Sequence, residues 1–246
     1  SSDDADVVII GAGASGLVTA KCILEANPGV RLVMLDAHSN IQGSWKSHYP
    51  GLYLTSRQQF VGLNGFPEIP REILSDQESP GSNHKNEITG EAYIRYLEFY
   101  ANRFGLHRYL RSGCYVDRCE QSNSSLGLRW YCTYMTDSKQ RGEVVASNLV
   151  IATGKSSIGT CSPELTKQLS SFTGRIIHAR DIDDYDSIVR SRSRVLLIGM
   201  GNSCIDVSSN LLTRGAFELH ISTRSLPPVL PREYGCLNIE SVGQIL

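Results

Sequence analysis

The chain has 246 residues, with 24 Lys and Arg against 25 Asp and Glu for a formal net charge of -1. That balance leaves no electrostatic footprint for nucleic acid or an anionic membrane surface, and no apolar run approaches the ~18 residues that a membrane span needs. The seven cysteines, at 22, 114, 119, 132, 161, 204 and 236, form no C-x-x-C pair, which argues against a zinc site or a redox-active disulfide and for free thiols in a reducing, cytoplasmic setting. The opening residues Ser1, Ser2, Asp3 and Asp4 are polar and acidic, unlike a targeting peptide.

Val7 to Ile10 is a short apolar run rich in β-branched residues and reads as a buried strand. Gly11, Gly13 and Gly16 follow in G-x-G-x-x-G spacing, with Ala14 and Ser15 inside the motif. The first glycine serves the tight turn, the second lets backbone approach a pyrophosphate, and the third lets helix pack on strand. Leu17, Val18, Ala20, Ile23 and Leu24 recur at helical spacing until Pro28-Gly29. Val30 to Leu35 is a second strand, closed by Asp36, which lies 20 residues beyond Gly16. An acid there accepts the hydroxyls of an adenosine ribose and repels a 2′-phosphate, so this stretch is a dinucleotide site.

The segment from Ala37 to Pro70 is irregular and dense in Gly, Pro, Ser and aromatics, a length of loop that is usually functional. Gly43 brings a second backbone N–H toward a phosphate, and Trp45 either covers a ring or is an ordinary packed aromatic. Ser79-Pro80-Gly81-Ser82-Asn83 marks an exposed turn. A helix follows from about Gly90, carrying a Tyr93, Leu97, Tyr100 and Phe104 stripe that belongs in a core, and Gly105 ends it. Strand signals at Tyr115–Cys119, Arg129–Met135 and Val144–Ala146, with turns between, predict a small antiparallel meander. Leu149 to Ile151 reads as a separate buried strand running into Ala152, Thr153 and Gly154, small residues that admit a ligand at a strand's carboxyl end.

A linker is expected from Lys155 to about Phe172. Val195 to Leu212 then repeats the opening pattern of strand, Gly199-x-Gly201 and helix, with Cys204 in place of the third glycine and Asn202 and Ser203 between. Phe217 to Ser222 is the next strand, followed by Thr223-Arg224. Arg224 takes the place that Asp36 holds in the first repeat, and arginine suits a 2′-phosphate, so the second unit is expected to prefer NADP over NAD. A solvated surface arginine is the plainer alternative.

Two dinucleotide folds, one marked by an acid and one by arginine, suggest FAD followed by NADPH. The sequence resembles the flavin-containing monooxygenase family and its Baeyer–Villiger relatives. The resemblance rests on GAGASG at 11–16, G-x-W at 43–45, YPGL at 49–52, Phe66-Pro67, ATG at 152–154, Phe172-x-Gly174-x-x-x-His178 and GMGNSCID at 199–206. Gln42 departs from the family's GGxW, Ile182 stands where its longer signature ends in an aromatic, and Thr55-Ser56 stand in the region after YPGL where many relatives carry an Asn near the flavin. The resemblance implies an α/β chain of two Rossmann-like units of the three-layer ββα type plus the meander. Residues 1–158 would form the FAD-binding domain and 159–246 an incomplete NADPH-binding domain. Its implied cofactor contacts add Thr55, Ser56 and Val116 to the glycine-loop, Asp36, Gly43, Trp45, 152–154 and Arg224 positions, with no catalytic side chain and no metal ligand. The implied activity is insertion of one oxygen atom of O2 into a small organic molecule through a flavin C4a-hydroperoxide, at the expense of NADPH.

Relatives return to the FAD domain with a final segment over the flavin ring. Here the chain is expected to be truncated, with an open strand edge and bare apolar surface in its second unit, unless a partner or missing C-terminal segment completes the site. A truncated homologue that is non-catalytic, or that oxidises NADPH without oxygenating, is the alternative. An FAD/NAD(P)H disulfide reductase is disfavoured by the lack of a paired cysteine motif.

Overall fold

The structure, a computed structural model, describes residues 3–41, 43–74, 87–125, 127–154, 159–225, 233–234 and 237–238. Gln42, the turn at 79–83 and the Pro-rich run at 227–231 lie outside these. The described residues divide into two compact units. One comprises 3–47, 62–74 and 90–154 with Gly159, the other 48–61, 87–89 and the residues from 160 onward. On sequence alone the first domain runs unbroken to 158; in the structure two stretches of the loop-rich region group instead with the later repeat.

The first unit is built on a six-stranded sheet. Strand β1 (Asp3–Ile10), helix α1 (Ala14–Ala26) and strand β2 (Leu32–Leu35) form a parallel β-α-β unit, followed by the single turn α2 (Arg71–Leu74) and helix α3 (Gly90–Arg103). Strands β3 (Leu110–Arg111), β4 (Cys114–Ser124), β5 (Gly127–Thr136) and β6 (Arg141–Ile151) complete the order β3-β2-β1-β6-β5-β4. β4, β5 and β6 are the expected antiparallel meander.

One sequence-based division is corrected. Val144–Ala146 and Leu149–Ile151 are not two strands but one, because β1 pairs with β6 in parallel from Asp3↔Val144 to Ile10↔Ile151. The polar Ser147-Asn148 pair, which looks like a break, is absorbed: Asn148 Nδ2 donates to the Asp6 carbonyl at 3.0 Å. At Asp6 the other edge of β1 is bulged, the Asp6 and Val7 amides both donating to the Arg31 carbonyl. The end of β6 is not buried as expected, Ile151 being 71% exposed.

Ala5, Val8, Leu35, Cys114, Cys132, Val144 and Ala146 form one buried cluster in this unit. Of the α3 stripe Tyr93, Leu97 and Tyr100 are buried, as is Tyr96, while Phe104 lies one residue past the helix and is half-buried. The hydroxyls of α3 also tie down the loop before it. Tyr96 Oη accepts the Leu63 N–H at 2.7 Å and donates to the Phe66 carbonyl at 2.5 Å, and Tyr100 Oη donates to the Asn64 carbonyl at 2.7 Å. A β-carbon on Gly62 would sit 1.7 Å from the Pro67 carbonyl oxygen, so only glycine closes this turn.

The second unit holds helix α4 (Pro163–Leu169), helix α5 (Tyr185–Arg190), strand β7 (Arg194–Ile198), helix α6 (Asn202–Thr213) and strand β8 (Glu218–Ser222), with β7 and β8 parallel. Short strands β9 (Glu233–Tyr234) and β10 (Leu237–Asn238) pair antiparallel. The expected linker therefore contains a helix. It is started by Ser162, whose hydroxyl accepts the Leu165 N–H, and by Pro163 in the first turn. Tyr49, Ile182, Tyr185, Val207 and Leu211 form the core of this unit. The bare apolar surface expected there is present: Leu196, Ile198, Ile205, Leu212 and Phe217 are all about half exposed or more.

Candidate functional site

In the first unit every glycine of the motif has a visible steric reason. Gly11 has φ +101°, its N–H donates to the Leu35 carbonyl at 2.7 Å, and a β-carbon on it would lie 2.4 Å from the Ala152 carbonyl oxygen. The small-residue end of β6 thus abuts the glycine turn, with the Ala152 N–H donating to the Ile10 carbonyl at 2.8 Å. A β-carbon on Gly16 would meet the Gly11 carbonyl oxygen at 1.9 Å, which is the close helix–strand contact the motif predicts. Gly13 faces Gly43, each so placed that a β-carbon on one would be 3.3 Å from the other's Cα. Two bare backbones therefore border one groove, and Gly13 caps α1 without any side-chain bond, leaving the first-turn amides of Ala14, Ser15 and Gly16 without helical acceptors. A cradle bordered by glycines, at an uncapped helix N-terminus, fits a pyrophosphate.

Asp36 directly follows the second strand and is 7% exposed. Its Oδ2 accepts the Ala12 N–H at 2.6 Å, and its Oδ1 accepts the His38 N–H at 2.8 Å and lies 3.0 Å from His38 Nδ1. Ala12 and His38 are absent from the sequence-based set. The D-x-H spacing was the available signal, since an Asp side chain commonly accepts the N–H two residues on. Val116 packs against the core cluster beside Leu35 and Cys114, next to the register shift between Val116 and Arg118. Trp45 packs edge-on to Tyr93 with ring centroids 5.1 Å apart. Thr153 and Gly154 are exposed at the end of β6.

The second unit repeats the turn almost dihedral for dihedral. Gly199 has φ +100° and donates its N–H to the Ser222 carbonyl at 2.8 Å; Gly201 caps α6 at φ -95°, ψ -176°, against φ -76°, ψ -170° for Gly13. No atom lies within 4 Å of a β-carbon built on Gly199 or Gly201, so here the conformation alone requires Gly199. Cys204, half-buried, occupies the third position at the first turn of α6.

The register corrects one equivalence. Gly11 bonds Leu35 and Gly199 bonds Ser222, so the residue matching Asp36 is Thr223, and Arg224 lies one step beyond. The cause is length: β1 and β2 pair with a spacing of 25 residues (Val7↔Leu32), β7 and β8 with 24 (Arg194↔Glu218), and α6 is one residue shorter than α1.

Thr55 and Ser56 group with the second unit. Asn202 Nδ2 donates to Thr55 Oγ1 at 3.0 Å, joining the YPGL-containing stretch to the start of α6. The same stretch is anchored by buried Tyr49, whose hydroxyl donates to Asp206 Oδ2 at 2.8 Å; burial pushes the Tyr49 pKa well up. Gly51, at φ +75°, lies against Asn210. The Phe172-x-Gly174 pair also has a local reason, since a β-carbon on Gly174 would be 2.5 Å from the Phe172 ring. His178 accepts the Arg180 N–H on Nδ1 at 3.3 Å and caps a single turn. Among the described residues no His, Cys, Asp and Glu group could hold a metal ion, and no helix is long and apolar enough to cross a membrane.

A model of the FMO-like, flavin-binding monooxygenase-like family matches residues 4–235. The chain belongs to this family. It is 32% identical over 229 residues to probable indole-3-pyruvate monooxygenase YUCCA9 of Arabidopsis thaliana, covering 92% of this chain and 48% of that protein. Among solved structures, an oxidised steroid monooxygenase bound to NADP aligns with a TM-score of 0.63 at 28% identity, over 90% of this chain and 39% of that one. The flavin-containing monooxygenase of Stenotrophomonas maltophilia shares the fold, with a TM-score of 0.73 at 22% identity over 98% and 63%. The chain spans about half the length, or less, of the curated relatives it matches.

Proposed function

We propose that the protein is an FAD-dependent, NADPH-using monooxygenase acting on a small organic molecule with O2. The reading rests above all on one observation, the duplication of an uncapped glycine turn with matching dihedrals at Gly11–Gly13 and Gly199–Gly201. Family membership supports it, as does the NADP-bound relative.

In this reading the amides of Ala14, Ser15 and Gly16 and the bare backbones of Gly13 and Gly43 hold the FAD pyrophosphate. Asp36 accepts the adenosine ribose hydroxyls, while Val116 and 152–154 border the same groove. In the second unit Gly199, Gly201, Asn202, Ser203 and Cys204 hold the NADPH pyrophosphate and Arg224 its 2′-phosphate. Thr55 positions Asn202. When bound, the flavin takes a hydride from NADPH and activates O2. The chain's own part is to bind and orient the two nucleotides, and no described side chain is assigned proton transfer.

The test is an absorbance spectrum of the purified chain with added FAD, followed by NADPH consumption and hydrogen peroxide release with and without candidate substrates. Stoichiometric flavin bands and substrate-dependent product support the monooxygenase. Flavin bands with peroxide matching all NADPH consumed point to the uncoupled oxidase, and absence of flavin binding refutes both.

A further inference from the structure

Cys119 and Cys132 face one another across the β4–β5 hairpin, as direct register partners on adjacent antiparallel strands. Which kind of pair they form follows from the ladder. The hairpin closes at Ser124↔Gly127 over two residues, so that closing pair is hydrogen-bonded and every second pair after it is not. Five steps along, Cys119↔Cys132 is a non-hydrogen-bonded pair. The other end of β5 agrees: the Thr136 N–H donates to the Gln140 carbonyl, toward β6, so Cys132, of the same parity, also turns its backbone toward β6. Residues in such a pair have Cα atoms about 4.5 Å apart, inside the disulfide range of about 4.4–6.8 Å.

The side chains complete the geometry. Cys132 belongs to the buried cluster of Ala5, Val8, Leu35 and Val144, and Cys119 packs against that cluster. Cys132 is wholly buried, whereas Cys119 is partly open to solvent. Burial raises the Cys132 pKa, and the Cys119 thiol, within hydrogen-bonding reach, raises it further.

We propose that Cys119 and Cys132 form a reversible dithiol site that a peroxide oxidises to a cross-strand disulfide. The accessible Cys119 sulfur attacks one peroxide oxygen, giving a Cys119 sulfenic acid and one water when the oxidant is hydrogen peroxide. The Cys132 sulfur then attacks the sulfenic sulfur, the S–S bond forms, and the hydroxyl leaves with a proton as a second water. Two thiols lose two electrons and two protons, and one hydrogen peroxide becomes two waters. The bond closes a hairpin already in register and sits beside the irregularity at Val116–Arg118, so it staples the strand that carries Val116.

The test treats the reduced chain with hydrogen peroxide, blocks remaining thiols with N-ethylmaleimide, and maps tryptic peptides without reduction. The expected result is a peptide 119–129 joined to 130–139, a thiol count lowered by two, and recovery of both with dithiothreitol. Exposed Cys22 and Cys161 serve as unpaired references. Cys119→Ser, at a half-buried position, is expected to fold and to abolish the joined peptide. The proposal is overturned if wild-type protein oxidises at Cys22 and Cys161 without the joined peptide. It is also overturned if Cys119 accumulates as sulfinic acid, or if the link forms as fast in urea-unfolded chain, where hairpin register is absent.

Discussion

The carboxylate of Asp36 holds the Ala12 amide at 2.6 Å inside the fold, joining the end of β2 to the middle of the glycine turn. The backbone of Asp36 is equally fixed, its N–H donating to Arg111 and its carbonyl accepting from Cys114. One residue thus ties the glycine turn to the end of β2.

Asp36→Ala is therefore expected to act twice. It leaves the buried Ala12 N–H without its acceptor, and it removes the proposed ribose contact, each on the order of 1–3 kcal/mol. Calorimetric titration of apo-protein with FAD and urea unfolding read the two effects separately. Equal FAD affinity in parent and variant rejects the ribose assignment even if stability falls.

Gly16 and Gly201 predict unequal responses to one added methyl group. Gly16→Ala places a β-carbon 1.9 Å from the Gly11 carbonyl oxygen, a backbone atom that cannot swing aside, so a loss of about 1–3 kcal/mol or more is expected. Gly201→Ala enters open space at an extended backbone angle, and thermal unfolding should barely change. A similar loss in both variants would show that the space around Gly201 is not open as described.

Because Thr223 matches Asp36, the proposed preference for NADPH is placed on Arg224, one residue on. Arg224→Ala should raise the dissociation constant for NADPH by roughly tenfold, about 1.4 kcal/mol, and leave NADH nearly unchanged. Thr223→Ala should affect both nucleotides alike or neither. Equal weakening of the two nucleotides by Arg224→Ala would assign that side chain a structural part.

Arg31 clasps the start of β1 through Asp6 and Asp4, and its hydrogen bonds hold both carboxyls below the usual range. A carboxyl pKa depressed in the folded state stabilises above the unfolded value of about 3.9, and that contribution is lost as pH falls through the folded value. Urea midpoints of parent and Arg31→Gln should differ at about pH 6 and converge toward about pH 2. A gap that persists in acid would mean that Arg31 acts through packing instead.

The strand-turn-helix starts at Gly11 and Gly199, the helical stripe of α3 and the turns of the meander were legible in the sequence because their causes are local. A positive φ admits glycine, apolar spacing of 3.6 makes one face, and the Asn-Ser run ends a strand of the meander. What only the tertiary structure decided are matters of which distant segments meet. Pairing with β1 carried β6 straight through Ser147-Asn148, and a helix one residue shorter moved Thr223, not Arg224, to the place of Asp36. Tyr49, Thr55 and Gly51 joined the second unit because α6 offers Asp206, Asn202 and Asn210 to meet them. The Cys119–Cys132 pair has no local spacing to announce it, since hairpin register alone brings the two sulfurs together. Register and interleaving depend on long-range pairing, and a one-residue slip redirects every side chain on a strand.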